Sequence, residues 1–168
     1  MCRTIKRTQD SRALRDTLGQ FPTGVAVVTA LAANGRPVGM TINSFNSISM
    51  TPPLVAWCVD RRAISYQTFA RTRQFTISLL AEEQLELAQR FAIRGEDKFH
   101  GIPVERNTAP IIPDSCAWFQ CTTDRQILLG DHLMLVGQVT DFERYPKRPL
   151  VFAQGTFQQL PHIATQAA

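Results

Sequence analysis

β-strand periodicity dominates the pattern of hydrophobic and polar positions along the chain. In residues 74–80 (QFTISLL) apolar side chains alternate with Thr76 and Ser78, which predicts a half-buried strand. Residues 54–59 (LVAWCV) are apolar throughout and follow Pro52-Pro53, so we expect a new strand there that is buried on both faces. The other strand candidates are GVAVVTAL (24–31), RPVGMTI (36–42), CAWFQCTTDRQILL (116–129), HLMLVGQVTDF (132–142) and PLVFAQGTF (149–157).

Turn and helix signals lie between these strands. Asn34-Gly35 separates the first two strand candidates and predicts a hairpin turn, because this dipeptide accepts positive φ angles. Leu14 and Leu18 lie four residues apart in a short helix that Gly19 ends. The remaining helix signals are a short segment at 62–71 and AEEQLELAQRFA (81–92), with Glu82 and Glu83 at its start and an apolar stripe of Leu80, Leu87, Ala88 and Phe91.

The order of these elements predicts an all-β fold with a few peripheral helices, either an antiparallel barrel or a sandwich. Strands and helices do not alternate regularly, and GxGxxG and Walker A sequences are missing, which argues against a Rossmann domain. No repeat or linker divides the chain, so we expect a single domain over 1–168, with the barrel at about 20–160 and a short tail after Leu160. Residues 95–115 hold several Gly and Pro residues and are long enough to form a lid or binding loop.

The composition is typical of a globular protein, with 44% hydrophobic and 19% charged residues. No apolar run reaches the ~18 residues that cross a bilayer. Residues 1–15 carry positive charge without a following apolar segment, so a secretory signal is not expected. We therefore expect a cytoplasmic protein with no membrane association.

The four cysteines, Cys2, Cys58, Cys116 and Cys121, form no CxxC pair or Cys/His cluster, which indicates reduced thiols and no metal site.

The charge favours anionic ligands only mildly. Eighteen basic and fourteen acidic residues give a net charge of +4, and the basic residues are spread from Arg3 to Arg148. A protein that reads nucleic acid more often concentrates them in one stripe interleaved with aromatic residues. The densest cluster, Arg3 to Arg15, is typical of a solvated helix face or a frayed terminus.

Candidate chemistry is concentrated in the stretch from Gly39 to Asp60 (GMTINSFNSISMTPPLVAWCVD). Short polar side chains that donate and accept hydrogen bonds occupy much of its first half: Thr41, Asn43, Ser44, Asn46, Ser47 and Ser49. Such a segment is better suited to binding a ligand than to packing in a hydrophobic core. A polar surface loop, whose Ser and Asn side chains satisfy local turns, fits the same residues. Residue types alone leave both interpretations open.

An ordered series of motifs along the chain resembles the short-chain flavin reductases, the small partners of two-component flavin-dependent monooxygenases. The motifs are FPTGVAVVT (21–29), GMTINSF (39–45), SISMTPPLV (47–55), FA (91–92), DKF (97–99), GDH (130–132) and PLVFAQGTF (149–157). The resemblance covers nearly the whole chain and depends on the order of the motifs, since each one alone occurs by chance. It implies a six-stranded antiparallel Greek-key split β-barrel of the FMN-binding type, a homodimer, and flavin in a groove at the dimer interface.

The resemblance also implies flavin-binding residues. The ring segment corresponds to Thr41, Ile42, Asn43, Ser44 and Phe45. Arg62 and Ser65 are the phosphate candidates, because a guanidinium fork and a hydroxyl both match phosphate oxygens. Many relatives have Ser or Thr at the positions of Arg62 and Ile64, so the preference between FAD and FMN stays open. The alternative for Arg62 is an exposed position at the start of a helix. Arg94 is expected at the flavin tail, and Phe99 either packs near the ring or anchors a loop.

Nicotinamide-binding residues follow from the same comparison. His132, in GDH, corresponds to a residue beside the nicotinamide pocket, although Asp131 could merely stabilise a surface imidazole there. Phe152 and Gly155 match the segment that approaches the nicotinamide nucleotide, and Ser47 is a further candidate.

The implied activity is an NAD(P)H:flavin oxidoreductase. Hydride passes from nicotinamide C4 to flavin N5, and reduced FAD or FMN leaves for a separate monooxygenase. Such a transfer needs two well-placed rings and no protein nucleophile, so His132 is expected to orient the nicotinamide rather than act as an obligatory base. Two alternatives are a flavin-binding carrier or oxidase of the split-barrel group and a nucleic-acid-binding β-barrel.

Overall fold

The computed structural model describes residues 10–95, 97–105 and 107–161. Three helices are present in these residues: α1 (Ser11–Leu18), α2 (Tyr66–Phe69) and α3 (Leu85–Ala92), the last preceded by a 3-10 turn at Glu82–Gln84. The strands are β1 (Thr23–Gly24), β2 (Ala26–Leu31), β3 (Pro37–Ile42), β4 (Asn46–Met50), β5 (Pro53–Asp60), β6 (Gln74–Leu79), β7 (Ala117–Leu129), β8 (His132–Arg144), β9 (Leu150–Ala153) and β10 (Thr156–Gln159).

These strands form two antiparallel sheets. The larger sheet has seven strands in the order β3-β2-β6-β7-β8-β5-β4, and the smaller has three in the order β1-β9-β10. A mostly-β fold with a few helices is therefore confirmed. The predicted count of six strands is not confirmed, because the described chain adds a short edge strand, β4, and the separate small sheet.

The turn at Asn34-Gly35 joins β2 to β3, as predicted. Gly35 has φ +78°, whereas Asn34 stays outside the left-handed region and accepts a hydrogen bond from Arg36 N through Oδ1 at 3.1 Å. The loop is closed by a bond from Ala32 N to Arg36 O at 2.9 Å. Only the glycine therefore needs the positive φ.

Residues 149–157 were expected to form one strand, and that prediction was wrong. The segment turns at Gln154 (φ 51°) and Gly155 (φ 78°), so β9 and β10 pair as a hairpin. Two successive left-handed residues match the twist of a tight hairpin, which is why the chain reverses there.

The main core lies against the larger sheet and is built around Trp57 of β5. This side chain is fully buried and makes edge-to-face contacts with Phe69 and Phe75, with ring centroids 4.8 and 5.9 Å apart. The prediction of a strand with both faces buried is confirmed for one face of β5, where Val55, Trp57 and Val59 are buried. On the other face only Ala56 is buried, and Leu54 and Cys58 are half-buried. A second core lies between α3 and the small sheet and contains Val25, Val27, Leu80, Ala88, Phe91, Ile112 and Leu150.

Strand β6 was expected to be half-buried, and that prediction was wrong. Its polar residues Thr76 and Ser78 are as buried as its apolar ones, because the irregular segment 107–116 covers them. Thr76 Oγ1 donates to Ala109 O at 2.9 Å, and Ser78 Oγ accepts from Ile112 N at 3.1 Å. Much of the predicted lid or binding loop is thus a structural cover.

The periphery agrees in part with the sequence predictions. Helix α1 ends before Gly19 as expected, but Leu14 and Leu18 are exposed. Cys58, Cys116 and Cys121 are free thiols, and burial raises the pKa of Cys121 to about 12. Cys2, the start of the basic cluster and the tail after 161 lie outside the described residues. No described helix is long and apolar enough to cross a membrane.

Candidate functional site

A cleft of about 610 Å³ opens between the β2–β3 hairpin, the turn before α2 and the end of α3. Four of the residues predicted to bind flavin line this cleft: Thr41, Ser65, Arg94 and Phe99. The hydroxyl of Ser65 also donates to Met40 Sδ at 3.5 Å. The fold therefore brings together residues from three distant parts of the sequence.

The inner wall of the cleft depends on Gly39. A Cβ at this position would lie 2.6 Å from Phe91 Cε1 and 3.1 Å from Phe99 Cζ. The two phenylalanines contact each other edge to face, with centroids 5.1 Å apart. Only glycine lets both rings approach β3 this closely. Phe99 is consequently both a loop anchor, one of its two predicted roles, and part of the cleft wall.

Two polar side chains connect this wall to α3. Thr41 Oγ1 donates to Ala88 O at 2.6 Å, and Lys98 Nζ donates to Phe91 O at 2.9 Å. Burial lowers the pKa of Lys98, because desolvation disfavours the ammonium form. Sequence reasoning did not assign Lys98 to a site, although its place in the DKF motif beside Phe99 was the available signal.

The electrostatics of the cleft favour an anion. Three cationic residues line it, Arg36, Arg94 and Lys98, and no carboxylate belongs to the described part of its lining. Sequence reasoning missed Arg36 because a charged residue after a hairpin turn resembles any solvated surface position. The surface around Gly39 and Phe99 is formed by apolar side chains and backbone, and the edges of the cleft are cationic. This combination suits a flat ring that carries an anionic tail.

The rest of the predicted ring segment does not line the cleft in a single chain. Ile42 belongs to the main core, and Asn43 is exposed. Ser44 is hydrogen-bonded to the backbone of Cys58, and Phe45 stacks against Phe119 with centroids 5.6 Å apart. Past Ile42 the chain leaves the cleft wall and runs towards β5.

Arg62 also lies outside the cleft. Its Nη2 and Nε donate to the two carboxylate oxygens of Asp60 at 2.8 and 3.2 Å, and 80% of the Arg62 side chain is exposed. Hydrogen bonds from Arg62 hold the pKa of Asp60 well below its usual range. The guanidinium is therefore already paired with a carboxylate. Its predicted alternative was an exposed helix start; the side chain is exposed, but Arg62 lies in the turn four residues before α2 begins.

His132 lies in the same charged region, since it is the β8 residue paired with Asp60 of β5. Its Nδ1 lies 2.7 Å from Asp131 Oδ1, and this hydrogen bond lowers the pKa of Asp131. Arg61, Arg62 and Asp131 border a second, shallower hollow of about 430 Å³. The imidazole is thus held in place by a carboxylate, as one of the two sequence interpretations expects.

The other nicotinamide candidates are dispersed in the single chain. Ser47 is exposed on β4, at the edge of the larger sheet. Phe152 lies in β9 and contacts Phe157, with ring centroids 5.3 Å apart. Gly155 is at the tip of the β9–β10 turn. None of these three lines the cleft described above.

Comparison with known proteins identifies the class to which this fold and cleft belong. Residues 18–161 match the family model of the flavin reductase like domain. The chain belongs to the flavin reductase-like family of oxidoreductases. It is 41% identical over 160 residues to the stachydrine N-demethylase reductase subunit of Rhizobium meliloti, a match covering 94% of this chain and 69% of the relative.

Two further proteins show how close the similarity is. The reductase subunit of a flavin-dependent monooxygenase from Rhodococcus jostii is 36% identical over 151 residues, covering 88% of this chain and 77% of that protein. The solved NADH:FAD oxidoreductase of Streptomyces globisporus, in complex with NAD and FAD fragments, superposes with a TM-score of 0.85 at 35% identity. That match covers 95% of this chain and 96% of the Streptomyces chain.

Proposed function

We propose that this chain uses NADH or NADPH to reduce FAD or FMN and passes the reduced flavin to a separate monooxygenase. The observation that carries the proposal is the cleft with an apolar inner wall and three cationic side chains, in a fold whose Streptomyces relative was solved with NAD and FAD fragments. Two relatives that are reductase subunits support the supply of reduced flavin to a partner enzyme.

The proposed flavin contacts begin with the predicted residues that line the cleft. Thr41 and Phe99 would border the ring, and Ser65 and Arg94 would bind its phosphate-bearing tail. Backbone dipoles and hydroxyls near the ring would stabilise the negative charge that reduced flavin carries. Roles for Ile42, Asn43, Ser44, Phe45 and Arg62 in flavin binding stay predictions.

Catalysis in this proposal consists of positioning. When both rings are bound, nicotinamide C4 supplies a hydride to flavin N5, which oxidises the nicotinamide and reduces the flavin. The apolar wall formed by Phe91 and Phe99 would exclude water from one side of the site, and His132, held by Asp131, would orient the nicotinamide. Ser47, Phe152 and Gly155 are the other proposed nicotinamide contacts.

A homodimer is part of the proposal. The edge strand β4 exposes Ile48 and Met50, by 54% and 87%, and Phe142 of β8 is 68% exposed. Large exposed apolar side chains near a sheet edge are typical of an interface. Since Ser47 lies on the same edge strand, a second copy covering β4 would also place Ser47 within an interfacial groove.

Light scattering of the purified chain tests the dimer. We expect a dimer, and a monomer for a variant carrying both Ile48→Lys and Met50→Lys. A variant carrying both Leu14→Lys and Leu18→Lys, which adds the same two charges at exposed positions of α1, is the control and should stay dimeric. An unmodified chain that is monomeric while reducing flavin would refute this part of the proposal.

We also propose that six strands of the larger sheet form the expected Greek-key split barrel. The bonds between Ser44, which follows β3, and Cys58 of β5 support it, because they connect segments from opposite ends of the sheet order. Localisation in the cytoplasm stays a prediction from the sequence.

The decisive experiment is a titration of the purified chain with FAD and FMN, followed by measurement of NADH and NADPH oxidation. Flavin-dependent loss of the reduced-nicotinamide absorbance is expected with at least one flavin. A carrier would bind flavin without this loss, and that outcome would refute the reductase activity. A matched assay without flavin measures any background oxidation.

A further inference from the structure

Lys98 and Phe99, which follow each other at the inner wall of the cleft, both contact Phe91 of α3. Lys98 Nζ donates a hydrogen bond to Phe91 O at 2.9 Å, and the ring of Phe99 lies edge to face on the ring of Phe91, with centroids 5.1 Å apart. Phe91 is 1% exposed and belongs to the second core, so it is a rigid support. Two neighbouring residues are thus attached to the same buried residue, one through its backbone and one through its ring.

The end of α3 is a favourable place for the ammonium group of Lys98. The last carbonyl groups of a helix have no partner within the helix, and the C-terminal end of the helix dipole is negative. Phe91 is the last residue but one of α3, so Lys98 caps one of these carbonyls. Lys98 is half-buried, and desolvation lowers its pKa. The hydrogen bond to the carbonyl offsets part of the cost of removing this cation from water.

The ring of Phe99 must be placed closely, because its Cζ lies 3.1 Å from the position that a Cβ at Gly39 would occupy. A second hydrogen bond to α3 holds the segment on the far side of this ring, where Arg90 Nη1 donates to His100 O at 3.1 Å. Phe99 therefore lies between two attachments to the same helix. Of the two, the bond from Lys98 is the one that reaches the buried inner wall.

We propose that Lys98 is a positioning residue for flavin reduction, which holds Phe99 where this side chain borders the flavin ring and does not act by binding the flavin phosphate. The inference rests on the proposed function, since it takes Phe99 as a neighbour of the flavin ring. A side chain that is already in place spares the ligand the cost of ordering it, so the attachment raises the affinity for the ring. Without the ammonium group, Phe99 would occupy its place for only part of the time, and the apparent Kd would rise by the inverse of that fraction.

Binding of riboflavin, FMN and FAD to the purified full chain tests this role. Riboflavin carries the ring without a phosphate, so it separates an effect on the ring from a contact with the phosphate. Each flavin is titrated, by the quenching of its fluorescence, with the unmodified chain, Lys98→Met and Lys147→Met. Methionine keeps the length of the side chain but has no charge and no N–H donor.

Lys147 is the matched control for this variant. Its Nζ also donates to a backbone carbonyl, Asp114 O at 2.9 Å, and it lies outside the cleft lining. Lys147→Met therefore removes the same kind of bond elsewhere in the fold. Circular dichroism confirms that each variant is folded, and Lys98→Gln takes the place of Lys98→Met if the methionine variant does not fold.

We expect Lys98→Met to raise the Kd for all three flavins by the same factor of about tenfold, which corresponds to Phe99 being in place for about one tenth of the time. Lys147→Met should change these values by less than about twofold, the range of ordinary surface substitutions. Values that rise for FMN and FAD but not for riboflavin would overturn the inference, since the ammonium group would then bind the phosphate. Unchanged values for all three flavins would overturn it too.

A double-mutant cycle shows whether Lys98 acts through Phe99. Lys98→Met is combined with Phe99→Ala, and riboflavin binding is measured for the unmodified chain, the two single variants and the double variant. The effect of Lys98→Met should shrink to less than about twofold in the Phe99→Ala background, because no ring is left to position. An equal effect in both backgrounds would show that Lys98 acts by another route, which contradicts the proposal.

Reduction of riboflavin by NADH distinguishes failure of this inference from failure of the proposed function. In Lys98→Met the KM for riboflavin should rise while kcat changes less than about twofold, because a bound flavin ring again has Phe99 beside it. If the unmodified chain reduces riboflavin and Lys98→Met does so with the same KM, only the present inference fails. If the unmodified chain reduces none of the three flavins, the proposed function itself fails.

Discussion

Ser44 and Cys58 are joined by two hydrogen bonds that use a single hydroxyl. Ser44 Oγ accepts from Cys58 N at 3.0 Å and donates to Cys58 O at 3.3 Å. Ser44 follows β3, and Cys58 lies in β5, so the side chain satisfies backbone groups that an adjacent strand would otherwise bind. This serine, in the segment predicted to contact a flavin ring, therefore has a structural role of its own.

Replacing Ser44 with Ala should destabilise the fold. Loss of the hydroxyl leaves a partly buried N–H and C=O of Cys58 without their bonds, which costs about 1 to 3 kcal/mol of unfolding free energy. Urea denaturation measures the loss, with Ser11→Ala as a matched exposed control on α1 that should change stability by less than about 0.5 kcal/mol. Equal stability of the two variants would contradict the structural role of Ser44.

Replacing Gly39 with Ala should close the cleft. The new Cβ would lie 2.6 Å from Phe91 Cε1, so the phenylalanine rings must move, at a cost of about 1 to 3 kcal/mol. Flavin affinity should fall together with stability, as measured by flavin titration and urea denaturation.

Gly137→Ala provides the matched control for this variant. A Cβ at Gly137 would lie 2.4 Å from Phe75 Cζ, in the main core and away from the cleft, so it tests overpacking alone. It should lower stability while the remaining folded protein binds flavin with unchanged affinity. If Gly39→Ala keeps its flavin affinity, the cleft wall is not part of the flavin site.

The pair formed by Asp60 and Arg62 should make stability depend on acid pH. Hydrogen bonds from Arg62 lower the pKa of Asp60 in the folded chain, so the pair stabilises the fold above the unfolded value of about 3.9. This contribution is lost as the pH falls below that value. Asp60→Asn should accordingly have a lower Tm than the unmodified chain at pH 7, with a gap that narrows below about pH 4.

Salt provides a second check on this pair. The Arg62 side chain is well exposed, so added salt should screen the attraction and reduce the difference in Tm between Asp60→Asn and the unmodified chain at neutral pH. A gap that is independent of both pH and salt would show that the carboxylate charge is not what stabilises this turn.

Replacing His132 with Ala should raise the KM for the nicotinamide nucleotide more than it weakens flavin binding. The imidazole, held by Asp131, is proposed to orient the nicotinamide and not to transfer a proton, so kcat should fall less than kcat/KM. Steady-state kinetics at saturating flavin give both values. His100→Ala, an exposed control, should leave them unchanged; an unchanged KM in His132→Ala would remove this residue from the site.

The sequence was most informative where a structural feature depends on near neighbours. The hairpin at Asn34-Gly35, the apolar strand β5 and the helix α3 were all predicted from local patterns. Alternation along β6 also located a strand. It could not show that Thr76 and Ser78 face protein, because the segment that covers them comes more than thirty residues later. In that segment Ala109 O accepts a hydrogen bond from Thr76, and Ile112 N donates one to Ser78.

By itself the sequence determined most of the strands, the turn at Asn34-Gly35, the family resemblance and four residues that line one cleft. Strand geometry and turn chemistry act over a few residues, so they can be read along the chain. Only the tertiary structure decided that Gly39 lies against Phe91 and Phe99, and that Arg36 borders the same cleft as Ser65 and Arg94. These relationships join side chains or elements through the folding of the sheet, and no local pattern encodes which of them meet.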